Sequence, residues 1–176
     1  MKTEYLLQRE VDQVLSVLTD RNRLIMRTAL HTGLRVGDAL RLKPEQLRPN
    51  FWITEQKTGK RRQVGIPEPL LSDLRSAAGA EWVFPGADPA KPRTRQALWK
   101  DVKRAARACR LTANAAPHSL RKVYAVELLR KYGDIERVRR ALNHGGVEVT
   151  LIYAMADKRL NARGQRRRSR PGREKA

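Results

Sequence analysis

The chain has 176 residues, 38 of them Lys or Arg against 18 Asp or Glu, and so carries a formal net charge of +20. That length suits one compact domain, and an apolar fraction of 40% supplies a core and excludes wholesale disorder. No apolar run approaches the ~18 residues of a membrane span, Met1 to Glu10 lack the apolar stretch of a signal peptide, and a single cysteine, Cys109, excludes an intrachain disulfide or a cysteine-clustered zinc site. These bounds predict a reduced, cytoplasmic, single-domain protein.

In chain order, Leu7, Val11, Val14, Leu15 and Leu18 form the apolar stripe of an amphipathic helix. Thr19-Asp20 offers the cap of a second helix through Leu24, Ile25, Ala29 and Leu30, which Gly33 should end. A short third helix is predicted from Val36 to Leu42, stopping before Pro44. The period then changes. Phe51 to Thr54 is β-prone and can pair with Gln63 to Ile66 across a basic turn, Lys57-Thr58-Gly59-Lys60. A third short strand is assigned to Gln46 to Arg48. Helix resumes over Glu68 to Ala78, and a Pro- and Gly-rich loop follows from Gly79 to Arg93 around Trp82-Val83-Phe84. Leu98, Val102, Ala105, Ala106 and Cys109 repeat the helical stripe. Pro117 opens a helix to Tyr132, Gly133-Asp134 separates it from one through Ile135, Val138, Ala141 and Leu142, and Val147, Leu151 and Ala154 suggest a last one. The fold class is mainly α with a small antiparallel β-sheet.

The positive charge is not confined to one end. Lys158 to Ala176 hold nine Lys or Arg and one acid, and the remaining residues still hold 29 basic against 17 acidic side chains. A cationic body as well as a cationic tail points to a polyanion, with nucleic acid first because Lys and Arg gain affinity by neutralising phosphates. A ribosome-associated protein and a generally basic proteome are the bland alternatives.

Four local patterns carry chemistry. Thr32-Gly33-Leu34-Arg35-Val36-Gly37-Asp38 presents an arginine at a helix junction, and Lys57 to Lys60 form the hairpin tip. Pro117-His118-Ser119-Leu120-Arg121 puts a histidine and an arginine on one helical face, and Leu142-Asn143-His144-Gly145-Gly146 is followed by Tyr153, nine residues after His144. Two arginines can clamp the non-bridging oxygens of a phosphodiester with permanently charged forks. A tyrosine can attack phosphorus, but with a free pKa near 10 only about one phenol in a thousand is ionised at neutral pH, so it needs a proton acceptor and cations nearby. His31 matches no such pattern and is read as structural.

In order and spacing these patterns resemble the catalytic domain of the tyrosine recombinases, the phage-integrase family, through Arg35, Lys57, His118, Arg121, His144 and Tyr153. The resemblance implies a site-specific recombinase that cleaves and rejoins duplex DNA through a covalent 3′-phosphotyrosine, with Tyr153 as nucleophile and no metal, nucleotide or other cofactor. It further implies that Arg35 and Arg121 clamp the phosphate, that Lys57 protonates the leaving 5′-oxygen, that His118 assists the tyrosine proton and that His144 binds a phosphate oxygen. Lys60 is the alternative to Lys57. Asp38, three residues past Arg35, is expected to support it by an ion pair. Lys60, Arg61, Arg62, Arg166, Arg167 and Arg168 are expected to contact DNA. Asn143 stands where the family has glycine, and it tolerates the left-handed conformation better than most residues.

The same resemblance sets the wider expectations. Residues 1–157 should form the catalytic domain and 158–176 a basic, disordered tail, with no separate N-terminal core-binding domain, as in the fimbrial-switch invertases. Partners would be double-stranded DNA and, in a DNA-dependent tetrameric synapse, further copies of the chain, in the cytoplasm at the nucleoid. The alternatives are a non-catalytic architectural or regulatory DNA-binding protein derived from an integrase, and a type IB-like topoisomerase or telomere resolvase.

Overall fold

The computed structural model describes residues 3–143. His144, Tyr153, the last predicted helix and the basic tail, including Arg166, Arg167 and Arg168, lie outside the described residues. Within them the order is α1 (Gln8–Val17), α2 (Asp20–Thr32), α3 (Val36–Leu40), a 3-10 turn (Pro44–Gln46), β1 (Asn50–Thr54), β2 (Arg61–Gly65), α4 (Glu68–Ala77), α5 (Arg95–Ala108), α6 (Pro117–Tyr132) and α7 (Ile135–Leu142). None of these helices is long and apolar enough to cross a membrane.

The organising element is α2, against which α1, α3, α4 and α6 all pack. Being covered on several sides, it buries polar residues as well as Leu24, Ile25, Met26 and Ala29, and the two threonine hydroxyls among them are satisfied within the helix. Thr28 Oγ1 donates to Leu24 O at 2.8 Å and Thr32 Oγ1 to Thr28 O at 2.6 Å, as buried hydroxyls must find partners. Asn22 reaches across to Asp101 on α5 at 2.9 Å. Most of the remaining core comes from the inward stripes of α1, α4 and α5 together with Val83 and Phe84 of the long loop. A smaller apolar cluster, Ala125, Val126, Val138 and Leu142, holds α7 against α6.

Two glycines end helices as the sequence predicts. Gly33 after α2 and Gly133 after α6 have φ of 63° and 66°, the left-handed region that glycine enters without steric penalty. Gly33 is doubly constrained, because a Cβ there would lie 2.4 Å from the ring of Tyr124 on α6.

The β-hairpin is antiparallel with Phe51 opposite Val64 and Ile53 opposite Arg62. Its strands begin one and two residues earlier than the sequence predicts. The third strand assigned to Gln46–Arg48 is absent. Pro44 lacks an N–H and fixes φ near the helical value, which suits the start of a turn, and the Gln46 side chain closes that turn by accepting the Lys43 N–H at 2.8 Å.

Candidate active site

Successive side chains of a strand alternate between faces, so the core face that holds Phe51 and Ile53 on β1 continues to Glu55, and the face that holds Val64 on β2 also holds Arg62. Glu55 is fully buried and Arg62 is 8% exposed. Glu55 is the centre on which the site is built. Its Oε2 accepts from Arg35 Nη1, from Thr58 Oγ1 at 3.0 Å and from Asn143 Nδ2 at 3.2 Å. Its Oε1 lies 3.5 Å from Arg62 Nε and 4.0 Å from Arg121 Nη1. One carboxylate thus joins the α2–α3 junction, the hairpin, α6 and the end of α7.

Arg121 is buried more completely than any other charged residue here except Glu55, at 1% exposure. It is fixed by helix ends. Its Nη1 donates to Gly33 O at 2.5 Å, the carbonyl at the left-handed end of α2, and its Nη2 donates to Leu142 O at the end of α7. The last carbonyls of a helix lack partners within it, and a guanidinium there satisfies them while meeting the negative end of the helix dipole. Arg62 works in the same way, donating to Thr32 O at 3.1 Å and to Ala141 O. Asn143 adopts φ 51°, so the expected left-handed corner exists with Asn in place of Gly.

His118, in the first turn of α6, is exposed at the rim, yet its pKa is pulled down to about 4 by partial desolvation first, and then by the positive charges of Arg121, Lys122, Arg35 and Lys57. Its ring is neutral at pH 7. Arg35, Lys57 and Arg121, drawn from the α2–α3 junction, the hairpin tip and α6, are thus each near enough for their charge to act on His118. A cleft of about 460 Å³ opens beside His118, bordered by Val36, Arg95, Trp99, Lys100 and Pro117. Tyr124, deeper on α6, has its phenol pKa raised by burial despite Arg62 and Arg121, which makes it a poor nucleophile. The pKa of His31 on α2 is lowered by burial first and then by the charge of Arg27.

Two sequence expectations change. Asp38 is buried, but the described residues show no ion pair between it and Arg35. Its Oδ1 instead accepts the Gln56 N–H at 3.0 Å, so it anchors the base of the hairpin tip next to Lys57. Arg35 pairs with Glu55. Arg62, expected on DNA, faces the core with both terminal nitrogens on carbonyls, while Arg61, Lys57 and Lys60 are exposed. The tip is held by Glu55 N–H to Lys60 O at 3.0 Å and Gly59 N–H to Glu55 O at 2.8 Å, with Gly59 at φ 65°.

The family model for the phage integrase family matches residues 4–159. The chain belongs to the phage integrase family. Among curated relatives, the integrase of Escherichia phage P2 is 33% identical over 155 residues, covering 87% of this chain and 43% of that protein. The chain spans about half the length of most of the curated relatives it matches. The fold is shared with the catalytic domain of bacteriophage HP1 integrase, with a TM-score of 0.68 at 23% identity over 88% of this chain and 89% of that one. A lambda integrase dimer bound to a COC′ core site gives 0.74 at 19% identity, over 87% and 59%. The fold is therefore that of tyrosine recombinase catalytic domains.

Proposed function

We propose that the chain is the catalytic unit of a site-specific recombinase that cuts and rejoins duplex DNA by transesterification. One observation carries the reading. Arg35 and Arg121, distant in sequence, meet on the same buried carboxylate beside a neutral histidine and the Lys57 hairpin tip. Three guanidiniums face only two buried carboxylates, Glu55 and Asp38, so the site keeps an excess positive charge suited to a phosphodiester.

In the proposed step the Tyr153 oxygen forms a bond to phosphorus as the bond from phosphorus to the deoxyribose 5′-oxygen breaks. Neutral His118 takes the phenol proton and Lys57 gives a proton to the departing 5′-oxygen. Arg35 and Arg121 neutralise the non-bridging oxygens, and His144 adds a hydrogen bond to one of them. The phosphotyrosine keeps the ester energy, so a 5′-hydroxyl can reverse the step without ATP. Residues 1–157 would supply the chemistry. The basic tail over 158–176 would follow phosphates, with binding that weakens steeply as salt rises. Recombination between two duplexes calls for four copies in a synapse on the DNA, and the lambda integrase dimer on its core site supports assembly on DNA. Such a protein would work in the cytoplasm, at the nucleoid.

The test uses a library of nicked duplexes that lose a short 5′-hydroxyl fragment on cleavage and so trap the covalent adduct. The native chain should yield a denaturant-resistant protein–DNA adduct, and Tyr153→Phe should yield none. Equal adduct from that variant would reject Tyr153, and binding without any nick would favour an architectural role.

A further inference from the structure

The three arginines gathered on Glu55 are not held alike. Arg62 and Arg121 each donate to two backbone carbonyls and would stay in place without the carboxylate. Arg35 has Glu55 as its hydrogen-bond partner among the described residues, and its side chain keeps 20% exposure to solvent. A carboxylate offers a guanidinium the same charge and the same two-oxygen fork as a phosphodiester. Glu55 therefore occupies, in the DNA-free protein, the contact on Arg35 that a phosphate would need. Its other ties set what an exchange would leave in place. Thr58, also bound to Oε2, adjoins Lys57, and Asn143 immediately precedes His144.

We propose that Glu55 is a positioning residue that holds Arg35 in place while the site is empty and yields it to the scissile phosphate when DNA arrives. The inference rests on the recombinase reading for the identity of that phosphate. The exchange makes preorganisation reversible. Without Glu55, Arg35 would point into solvent and three like charges would repel. With Glu55, Arg35 is aimed at a carboxylate-sized anion before the substrate enters. Thr58 and Asn143 would keep their own hydrogen bonds to Oε2 through the exchange, so Glu55 would go on holding the hairpin tip next to Lys57.

The test is a titration of the full chain with inorganic phosphate, followed by the Arg35 side-chain Nε resonance, for the native protein and Glu55→Gln. Removing the competing charge should lower the half-saturating phosphate concentration ~5-fold, the scale left after solvent screening of a rim site. The rate of adduct formation on the nicked duplexes should fall at the same time, because Arg35 is no longer aimed. A merely structural role would weaken phosphate binding and cleavage together, so phosphate binding that is unchanged or weaker overturns the proposal. Should Glu55→Gln fail to fold, Glu55→Asp keeps the buried charge but shortens its reach. It too should bind phosphate more tightly at Arg35, and an unchanged titration overturns the proposal. Phosphate exchange at Arg35 does not involve Tyr153. Exchange without any adduct would thus sink the recombinase reading alone, and adduct without exchange would sink only the role of Glu55.

Discussion

Gly33→Ala tests whether the end of α2 truly sets the site. Two costs follow from the structure. A non-glycine residue at φ 63° costs ~1–2 kcal/mol. A Cβ placed 2.4 Å from Tyr124 Cδ1 and Cε1 must push that ring aside, and overpacking of this kind costs ~1–3 kcal/mol. The expected destabilisation is thus ~2–5 kcal/mol, a large part of the ~5–15 kcal/mol that holds a domain together. For a chain of this size it should lower Tm by ~4–20 °C. Urea denaturation of the full chain gives the value, and a cycle with Tyr124→Leu separates the two costs. Trimming the ring should recover the overlap cost and leave the left-handed cost, whereas Tyr124→Phe, which keeps the ring, should recover little. Because Gly33 O is also an acceptor for Arg121, cleavage should fall even at temperatures where the variant is folded. A destabilisation under about 1 kcal/mol, or equal recovery by Phe and Leu, would refute the argument.

The hairpin arginines should separate cleanly. Arg62→Leu leaves Thr32 O and Ala141 O without their donor and should cost ~3–5 kcal/mol by chemical denaturation. Arg61→Ala should leave stability within about 0.5 kcal/mol and lower the salt slope of DNA binding by about 1 if Arg61 meets a phosphate. Lys57→Met should slow adduct formation far more than Lys60→Met, and a substrate with sulfur as the leaving atom, which needs no protonation, should rescue the Lys57 variant; equal defects would remove the distinction. Proton NMR of His118 should show a midpoint near 4, rising in Lys57→Ala and Arg35→Ala as those charges are removed. The folded midpoint lies below the unfolded value of 6.5, so the unfolded chain takes up the proton first. Stability tied to neutral His118 is then fully present above pH 6.5 and falls as pH is lowered through the window down to about 4. A midpoint at or above 6.5 would contradict the desolvated, cationic surroundings.

The helices were legible because their stripes have the period of an amphipathic helix, and the ends at Gly33 and Gly133 because only glycine occupies that backbone region cheaply. The phantom strand at Gln46–Arg48 shows the limit, since three residues carry too little periodicity to outweigh Pro44. Arg35 and Arg121 stood out through the order and spacing in which the chain resembles the tyrosine recombinases, and the fold brings both to Glu55. Glu55 was missed because a tertiary ion pair leaves no local pattern, and the partner of Asp38 because it is a backbone N–H, at Gln56, which any residue type could supply. A partial signal existed in the alternation. The buried face of Phe51 and Ile53 on β1 runs on to Glu55 just past the strand end, as Val64 and Arg62 share one face of β2, so an acid and a base fall on the buried side of the hairpin. Reading the hairpin only as a basic tip hid this, and placed Arg62 on DNA when its register turns it inward.

The cluster around Glu55 also explains why this fold tolerates so many buried charges. A buried ionic network seldom adds stability over apolar side chains of the same size, because desolvation offsets the Coulomb gain. Here the arginines recover part of that cost from carbonyls that helix ends leave unsatisfied in any case, at Thr32 and Gly33 on α2 and at Ala141 and Leu142 on α7. The helices are therefore cut to end where cations are required, and Gly33 and Asn143 take left-handed conformations at those ends. Water could satisfy such carbonyls equally well. It would not fix positive charge around Glu55, and in the proposed reaction charge placed in advance needs no reorganisation. The arrangement joins the ends of α2 and α7 through Arg62 and Arg121, which ties the integrity of the fold to the electrostatics around Glu55.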